Sequence, residues 1–439
     1  MNSFSKLEIQ SFLQNSECSF EKLSKYVIDR DDNAFFICDL GDIIEKFNRW
    51  SALLPRIRPF YAVKCNNDAN LLTLLGKMGA GFDCASKAEL ETVSNLNVVA
   101  EDIVYANPCK QKSHIRRARE LGVERMTFDN EPELFKIKKE FPYAKLILRI
   151  AVDDSSAKCQ LGMKYGADLE SALSLLQTAS ILQLDVIGVS FHVGSGCSDP
   201  NAFYKAIKDA AKAFTFGAHF GYDFKLLDIG GGYPGNTGSE DHFAMICAVI
   251  NESLMEFFPD PEIEIIAEPG RYFAASAFTL VTNVIARKIV VDKLGDEHQK
   301  LFINDGLYGS FNCLMFDHAE VQPIALNRSG ILVDSSIWGP TCDGLDQVAE
   351  HTLLPHLNIG DWLVFKNMGA YTMSASSTFN GFAKPDCIHF ISDDFSEVME
   401  EINRRRTISV CSSKFSECES FDEEDIFTNL VVGEKICLI

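Results

Sequence analysis

The stretches DVIGVSFHVG (185–194), KLLDIGGG (225–232) and EIEIIAEPG (262–270) each begin as a β-prone apolar run and end on glycine beside a functional side chain. The same kind of run recurs upstream: RPFYAVKC (58–65), GFDCAS (81–86), IVYAN (103–107), RMTFDN (125–130) and KLILRI (145–150). Between them, stretches such as NLLTLLGKMGA (70–80) and SHIRRAREL (113–121) carry apolar residues at three-to-four spacing, as amphipathic helices do. Eight short strands alternating with helices over ~230 residues predict a (β/α)8 TIM barrel. A doubly wound open sheet has the same alternation, and periodicity alone does not show closure.

After residue 275 the rhythm changes. FTLVTNVIARKIVV (278–291), KLFIND (300–305), SSIWG (335–339), GDWLVF (360–365) and CIHFIS (387–392) are strand-like, with turns between them. They predict a separate β-rich domain. AFFICDL (34–40) is a ninth strand-like run ahead of the eight, and it is available to that second sheet. The expected division is a barrel over 39–275, a β-rich domain from 1–38 and 276–410, and an acidic tail over 411–439. That tail has two basic and seven acidic residues, which reads as a solvated flexible segment, or as an element recognised by degradation machinery.

The chain has 439 residues, 46% hydrophobic and 23% charged, so a fibrous or mostly disordered protein is excluded. Its formal charge of -21 argues against general binding to nucleic acid or anionic lipid, while leaving room for a cationic substrate. No run of ~18 apolar residues could cross a bilayer, and the start MNSFSKLEIQ is unlike a signal peptide. The 14 cysteines are scattered with no C-x-x-C pair, as reduced thiols of the cytoplasm would be. No metal site is expected.

In a barrel of this kind the chemistry gathers where strands end. Those ends carry Lys64, Asp83, Asn107, Arg149, His192, Gly230, Gly231, Gly232, Glu268 and Arg271. A lysine closing an apolar strand loses solvation there, which makes its amine a usable nucleophile toward carbonyls. Glycines after strand seven let backbone N–H groups approach phosphate oxygens, and an arginine after strand eight adds a forked donor. A carbonyl-seeking lysine plus a phosphate cradle suggests pyridoxal 5'-phosphate, which also needs an acid beside its pyridine nitrogen. Glu268 and Asp83 both qualify by position, and His192 could stack on the ring; taken alone, His192 reads as a core histidine.

FYAVKCN (60–66), GFDCASKAE (81–89), FHVGSGC (191–197), LDIGGGYPG (227–235), EPGRY (268–272), WGPTCDGLD (338–346) and GDWLVFKNMGAYT (360–372) follow one another in a fixed order. In that order the chain resembles the fold-type III, group IV pyridoxal-phosphate decarboxylases, and within them the eukaryotic ornithine decarboxylase family. The resemblance covers about residues 34–392. It implies an alanine-racemase-like barrel with a C-terminal β-rich domain, and decarboxylation of L-ornithine to putrescine in polyamine biosynthesis.

It also implies roles. Lys64 binds the cofactor covalently, Glu268 pairs with the pyridine nitrogen, and His192 stacks on the ring. Asp83 and Arg149 lie near the cofactor. Ser195, Gly232, Arg271 and Tyr371 hold the phosphate with help from the glycine turn. Cys342 returns a proton to the α-carbon after CO2 leaves, and Asp317 and Asp343 receive the distal ammonium of the substrate. In the family these last groups act in the active site of the partner subunit, which implies a homodimer with shared sites.

Two departures stand out. Phe316 occupies the position before Asp317 where the family commonly has tyrosine, and Gly162, in CQLGMKYG (159–166), stands where serine is frequent. Rival readings are a decarboxylase of another amino acid, such as lysine or leucine, and a non-catalytic antizyme-binding paralogue of the antizyme inhibitor type. A diaminopimelate decarboxylase would carry Glu after the reactive cysteine, where this chain has Asp343. The segment KQKSHIRRAR (110–119) has five Lys or Arg and no acid. It reads either as a solvated helix face or, with the rest of 110–140, as a docking patch for antizyme.

Overall fold

The computed structural model describes residues 24–25, 27–29, 31–291, 293, 295, 297–391 and 430–432. They fall into two compact units. One comprises Lys46–Asn67 and Leu72–Phe273; the other takes the chain up to Glu45, the short piece Asp68–Leu71, and everything from Ala274 onward. The acidic tail lies outside the described residues except for one strand.

The first strand in the chain, β1 (Phe35–Asp39), belongs to the second unit. The first unit begins its sheet with β2 (Ile57–Ala62), β3 (Gly81–Cys84), β4 (Ile103–Tyr105), β5 (Arg125–Phe128) and β6 (Lys145–Arg149). After a short outlying strand, β7 (Ala157–Cys159), come β8 (Asp185–Ser190), a second outlier β9 (Ser195–Cys197), β10 (Leu226–Asp228) and β11 (Glu264–Ala267). The eight main strands close into an all-parallel barrel in the order β10-β11-β2-β3-β4-β5-β6-β8. Closure excludes the open doubly wound sheet. Each barrel strand coincides with one of the eight apolar runs. The two outliers pair only with each other, antiparallel.

The barrel interior is solid. Phe60, Val104, Ile147 and Leu226 come from alternate strands and are packed together with Ile266, forming the kind of side-chain layer that fills such barrels. Gly81 is required opposite Phe60, because a Cβ there would approach the ring to 2.6 Å. Several helices after the strands are capped by local sequence. Ser86 accepts from the Glu89 N–H at 3.3 Å while Glu89 accepts from the Ala85 N–H at 2.6 Å, close to the reciprocal capping box. Asn130 and Asp168 cap the helices Glu131–Glu140 and Leu169–Ile181 in the same way.

In the second unit the chain continues through β12 (Phe278–Val291), β13 (Glu297–Ile303), β14 (Pro323–Ala325), β15 (Leu332–Trp338), β16 (Gln347–Pro355), β17 (Trp362–Phe365), β18 (Asp386–Ile391) and β19 (Leu430–Val432). With β1 these make a nine-stranded sheet whose main path is β16-β15-β13-β12-β1-β18-β19. β1 pairs antiparallel with β12 and parallel with β18, so the run at 34–40 does enter the second sheet. Phe35, Ile37, Val281, Trp362, Val364, Ile388 and Phe390 form a buried apolar cluster on this sheet.

Among the described residues, no helix is long and apolar enough to cross a membrane.

Candidate active site

Every sequence-predicted residue of the barrel unit sits at or just beyond a strand's C-terminal end. Lys64 lies in the 3-10 turn Val63–Cys65 that follows β2. Asp83 is inside β3, in register with Ala62 of β2. Arg149 is the last residue of β6, His192 comes two residues after β8, and Glu268 one residue after β11. Gly230, Gly231 and Gly232 follow β10 after Ile229, and Arg271 opens the short helix Arg271–Ala274.

These residues meet. The Lys64 ammonium is ion-paired with the Asp83 carboxylate, which is fully buried while the lysine side chain is 38% exposed. A second carboxylate centre lies beside them, where Glu268 shares a side-chain hydrogen bond with Asp228. Burial pushes Glu268 well above the usual carboxylate range, with the Asp228 and Asp83 charges adding to it. Burial likewise pushes Asp228 up to about 7, against the Gly230 N–H that donates to it at 2.9 Å. Asp228 was not singled out from the sequence; a carboxylate closing the strand just before a glycine turn was the available signal.

His192 is held neutral. Burial drives its pKa well below the ordinary histidine value, and the Arg149 and Lys64 charges push the same way. Its Nδ1 accepts from the Gly194 N–H at 3.0 Å, which turns Nε2 toward the glycine turn. A Cβ on Gly231 would come within 2.8 Å of both that Nε2 and the Glu268 carbonyl oxygen. Gly232, at φ +113°, would meet the Gly194 carbonyl oxygen at 2.8 Å. Only glycine allows this crowding. Beside the turn, Arg271 Nη2 donates to Ser195 Oγ at 2.9 Å, so a guanidinium and a hydroxyl already converge. The Arg149 guanidinium lies over the Tyr165 ring at 5.0 Å.

The remaining predicted residues belong to the second unit. Cys342 and Asp343 occupy the loop between β15 and β16, with Cys342 exposed. The Tyr308 hydroxyl donates to Asp343, and the Cys342 N–H donates to Asn380 Oδ1 at 3.0 Å. Tyr308 also packs on Phe379 with ring centroids 4.4 Å apart. Tyr308, Phe379 and Asn380 have no motif of their own; they join Cys342 and Asp343 only through the fold. Phe316 ends the short helix Cys313–Phe316 and is 76% exposed, whereas the next residue, Asp317, is only 7% exposed. Tyr371 has a left-handed backbone, φ +57°, in the loop after β17.

The barrel constellation fits pyridoxal phosphate on its own evidence. Asp83 Oδ1 and Asp228 Oδ2 are buried acceptors with no hydrogen-bond partner among the described residues. Burial of Glu268 disfavours its charged form unless a cation lies beside it. A protonated ring nitrogen would supply that cation, and Arg271, Ser195 and the glycine-turn N–H groups would suit a phosphate.

A family match accords with the geometry. Residues 40–275 match the family described as "Pyridoxal-dependent decarboxylase, pyridoxal binding domain", and the chain belongs to it. It is a pyridoxal-phosphate-dependent decarboxylase by family.

Among curated relatives, it is 48% identical to the rat protein named ornithine decarboxylase over 395 residues, 87% of this chain and 86% of that one. It is 52% identical to the Xenopus laevis protein named antizyme inhibitor 2 over 363 residues, 80% of each chain. Among solved structures, the arginine decarboxylase of Paramecium bursaria Chlorella virus superposes with a TM-score of 0.81 at 35% identity, covering 84% of this chain and all of that one.

The basic segment reads differently in three dimensions. Lys110 is buried against Glu133 at 3.0 Å, and Lys136 pairs with the same carboxylate at 2.5 Å. Arg116 pairs with Glu140, Arg117 with Glu91 and Glu120, and Arg119 lies over the Tyr143 ring. Most of the charge read as a docking patch is matched inside the fold.

Proposed function

We propose that the chain decarboxylates L-ornithine, releasing putrescine and CO2 in polyamine biosynthesis. The observation that carries the choice of substrate is the buried carboxylate Asp317, accompanied by Asp343. A diamine acid brings a second ammonium that needs a fixed anion, whereas a neutral side chain offers such an anion no charge to pair with. Phe316 supplies no hydroxyl beside that anion, so selectivity rests on the two aspartates.

The bound cofactor supplies an aldehyde that condenses with amines and a ring that withdraws electrons. Lys64 would be the residue that holds the cofactor's aldehyde carbon, and Asp83 would keep the lysine amine oriented beside it. Glu268, backed by Asp228, would lie beside the ring nitrogen as its counter-charge. His192, neutral and wedged by Gly231, fixes one face of the ring. Ser195, Gly230 to Gly232, Arg271 and Tyr371 anchor the phosphate, and Arg149 balances the buried carboxylates. After CO2 leaves the substrate, the Cys342 thiol would be the acid that gives a proton to the α-carbon, and water would restore it.

The resemblance supports a homodimer in which Cys342, Asp343 and Asp317 serve the Lys64 of a partner copy, working in the cytoplasm. CO2 release from carboxyl-labelled ornithine, lysine, arginine and leucine, each with added cofactor, tests the reading. Ornithine should be turned over fastest. A preference for leucine would mean that the aspartates do not select the substrate.

A second reading rests on the 52% identity to antizyme inhibitor 2: the chain binds antizyme through 110–140. The complete set Lys64, Asp83, Glu268, Arg271 and Cys342 argues that any such binding accompanies catalysis. A pull-down with antizyme, repeated after charge reversal at the exposed Lys112, tests it.

A further inference from the structure

The second unit contains a group of side chains that the decarboxylation does not use. His298 on β13 and Asp334 on β15 are register partners in a parallel pair, so their side chains leave the same face of the sheet. Asp334 opposes Leu353 on β16, and His351 lies two residues from Leu353, on the same face and diagonal to Asp334. The alternate residues Gln299 and Ser335 are fully buried, so the face bearing the histidines is the outer one.

The three side chains converge on one point. His298 Nδ1 is 2.7 Å from Asp334 Oδ2, and His351 Nδ1 is 3.2 Å from Asp334 Oδ1. The candidate donor atoms all lie within 4.8 Å of one another. His298 is further oriented through its other nitrogen, which meets the buried Ser336 Oγ at 3.0 Å; that hydroxyl oxygen also receives the Trp338 indole N–H at 3.0 Å. Two imidazole nitrogens facing one carboxylate are bridged either by their own Nδ1 protons or by a cation. Two imidazoles and a carboxylate, with one imidazole fixed from behind, form a donor set suited to borderline divalent metals.

We propose that His298, Asp334 and His351 form a binding site for one divalent transition-metal ion of the Zn2+ class, separate from the decarboxylase centre. The metal would replace the protons, with the two Nδ1 atoms and one Asp334 oxygen as ligands and water completing the shell. It would join three strands and pin β16, the strand at the end of the sheet's main path. The ligands are 53 positions apart from first to last, on three different strands, so sequence spacing does not reveal them.

The second unit contains a rival cluster, Asp68, Cys387 and His389, and the test must distinguish it. There a single nitrogen, His389 Nε2, meets both Asp68 at 2.9 Å and the Cys387 sulfur at 3.6 Å, in a buried setting.

The experiment titrates the full-length, cofactor-loaded protein with Co2+, followed by visible absorption, and with Zn2+, followed by calorimetry and thermal unfolding. Wild type should take up one Co2+ with weak d–d bands and no thiolate charge-transfer band, and Zn2+ should raise its unfolding midpoint. His351→Gln, at a side chain 69% exposed, should fold normally and lose both effects, as should Asp334→Asn. Ser336→Ala should weaken affinity by roughly 10- to 100-fold. His219→Ala, at an exposed helix end, should change neither. Absence of stoichiometric uptake, uptake unchanged in His351→Gln and Asp334→Asn, or a thiolate band would each overturn the proposal.

Discussion

Asp317→Asn isolates the charge proposed to select the substrate, because asparagine keeps the shape and removes only the anion. Asp317 is 7% exposed, so a distal ammonium reaching it would be paired away from bulk water. Removing one partner of such a desolvated charge pair costs about 2–5 kcal/mol. At about 1.4 kcal/mol per tenfold, kcat/KM for ornithine should fall roughly 30- to 4,000-fold. Leucine has no distal charge to lose, so its rate should change far less than that of ornithine. Asp343 is more open and already accepts from the Tyr308 hydroxyl, so its substitution should weaken ornithine less than that of Asp317. The assay is carboxyl-label release with ornithine and leucine at several concentrations, on protein whose cofactor content has been matched. Equal losses for both substrates, or an unchanged ornithine rate, would refute the reasoning about charge.

Other expectations follow from buried groups away from the substrate. Glu133→Gln leaves the Lys110 ammonium buried without its anion, and should cost about 3–5 kcal/mol in urea unfolding; a loss under about 1 kcal/mol would mean the pair behaves like a surface one. Asp228 is raised from 3.8 to about 7 in the fold, so its contribution to stability is full at low pH and is lost as pH rises through about 7. Cofactor-free Asp228→Asn should therefore show a flatter denaturation midpoint between these values than wild type, and an unchanged slope would move the effect elsewhere. Lys64→Ala and Cys342→Ala proteins, each inactive alone, should regain roughly a quarter of wild-type activity after subunit exchange, because about half the dimers are mixed and each mixed dimer has one intact site. No recovery despite proven exchange would remove the shared-site arrangement.

The barrel was legible because its strands are buried on both faces and read as continuous apolar runs, such as KLILRI and DVIGVS. The strands missed are those without that signature. β7 and β9 are three residues each, β9 with a central glycine, and β14 is a three-residue strand beginning with Pro323. β16 reads QVAEHTLLP, mixing charge into a strand because it ends the main path of its sheet.

At the site, residues closing barrel strands were found because position along a strand fixes which end a side chain occupies. Asp228 was passed over because its partnership with Glu268, 40 residues away in sequence, depends on β10 and β11 lying side by side. The bonds from Tyr308 to Asp343 and from Cys342 to Asn380 join positions 35 and 38 residues apart, with no local pattern to announce them. The basic run at 110–119 shows the converse: its charge was visible, but its matching acids, Glu91, Glu133 and Glu140, lie on other segments.

The most direct test of the account is to reduce the cofactor-loaded protein with borohydride and map the modified peptide by mass spectrometry. The reduction fixes the bond between the lysine nitrogen and the cofactor carbon and bleaches the visible band. The account predicts a single stoichiometric pyridoxyl group on Lys64, lost when excess ornithine is present before reduction and retained with leucine. A colourless protein, a label on another lysine, or protection by leucine but not ornithine would contradict it.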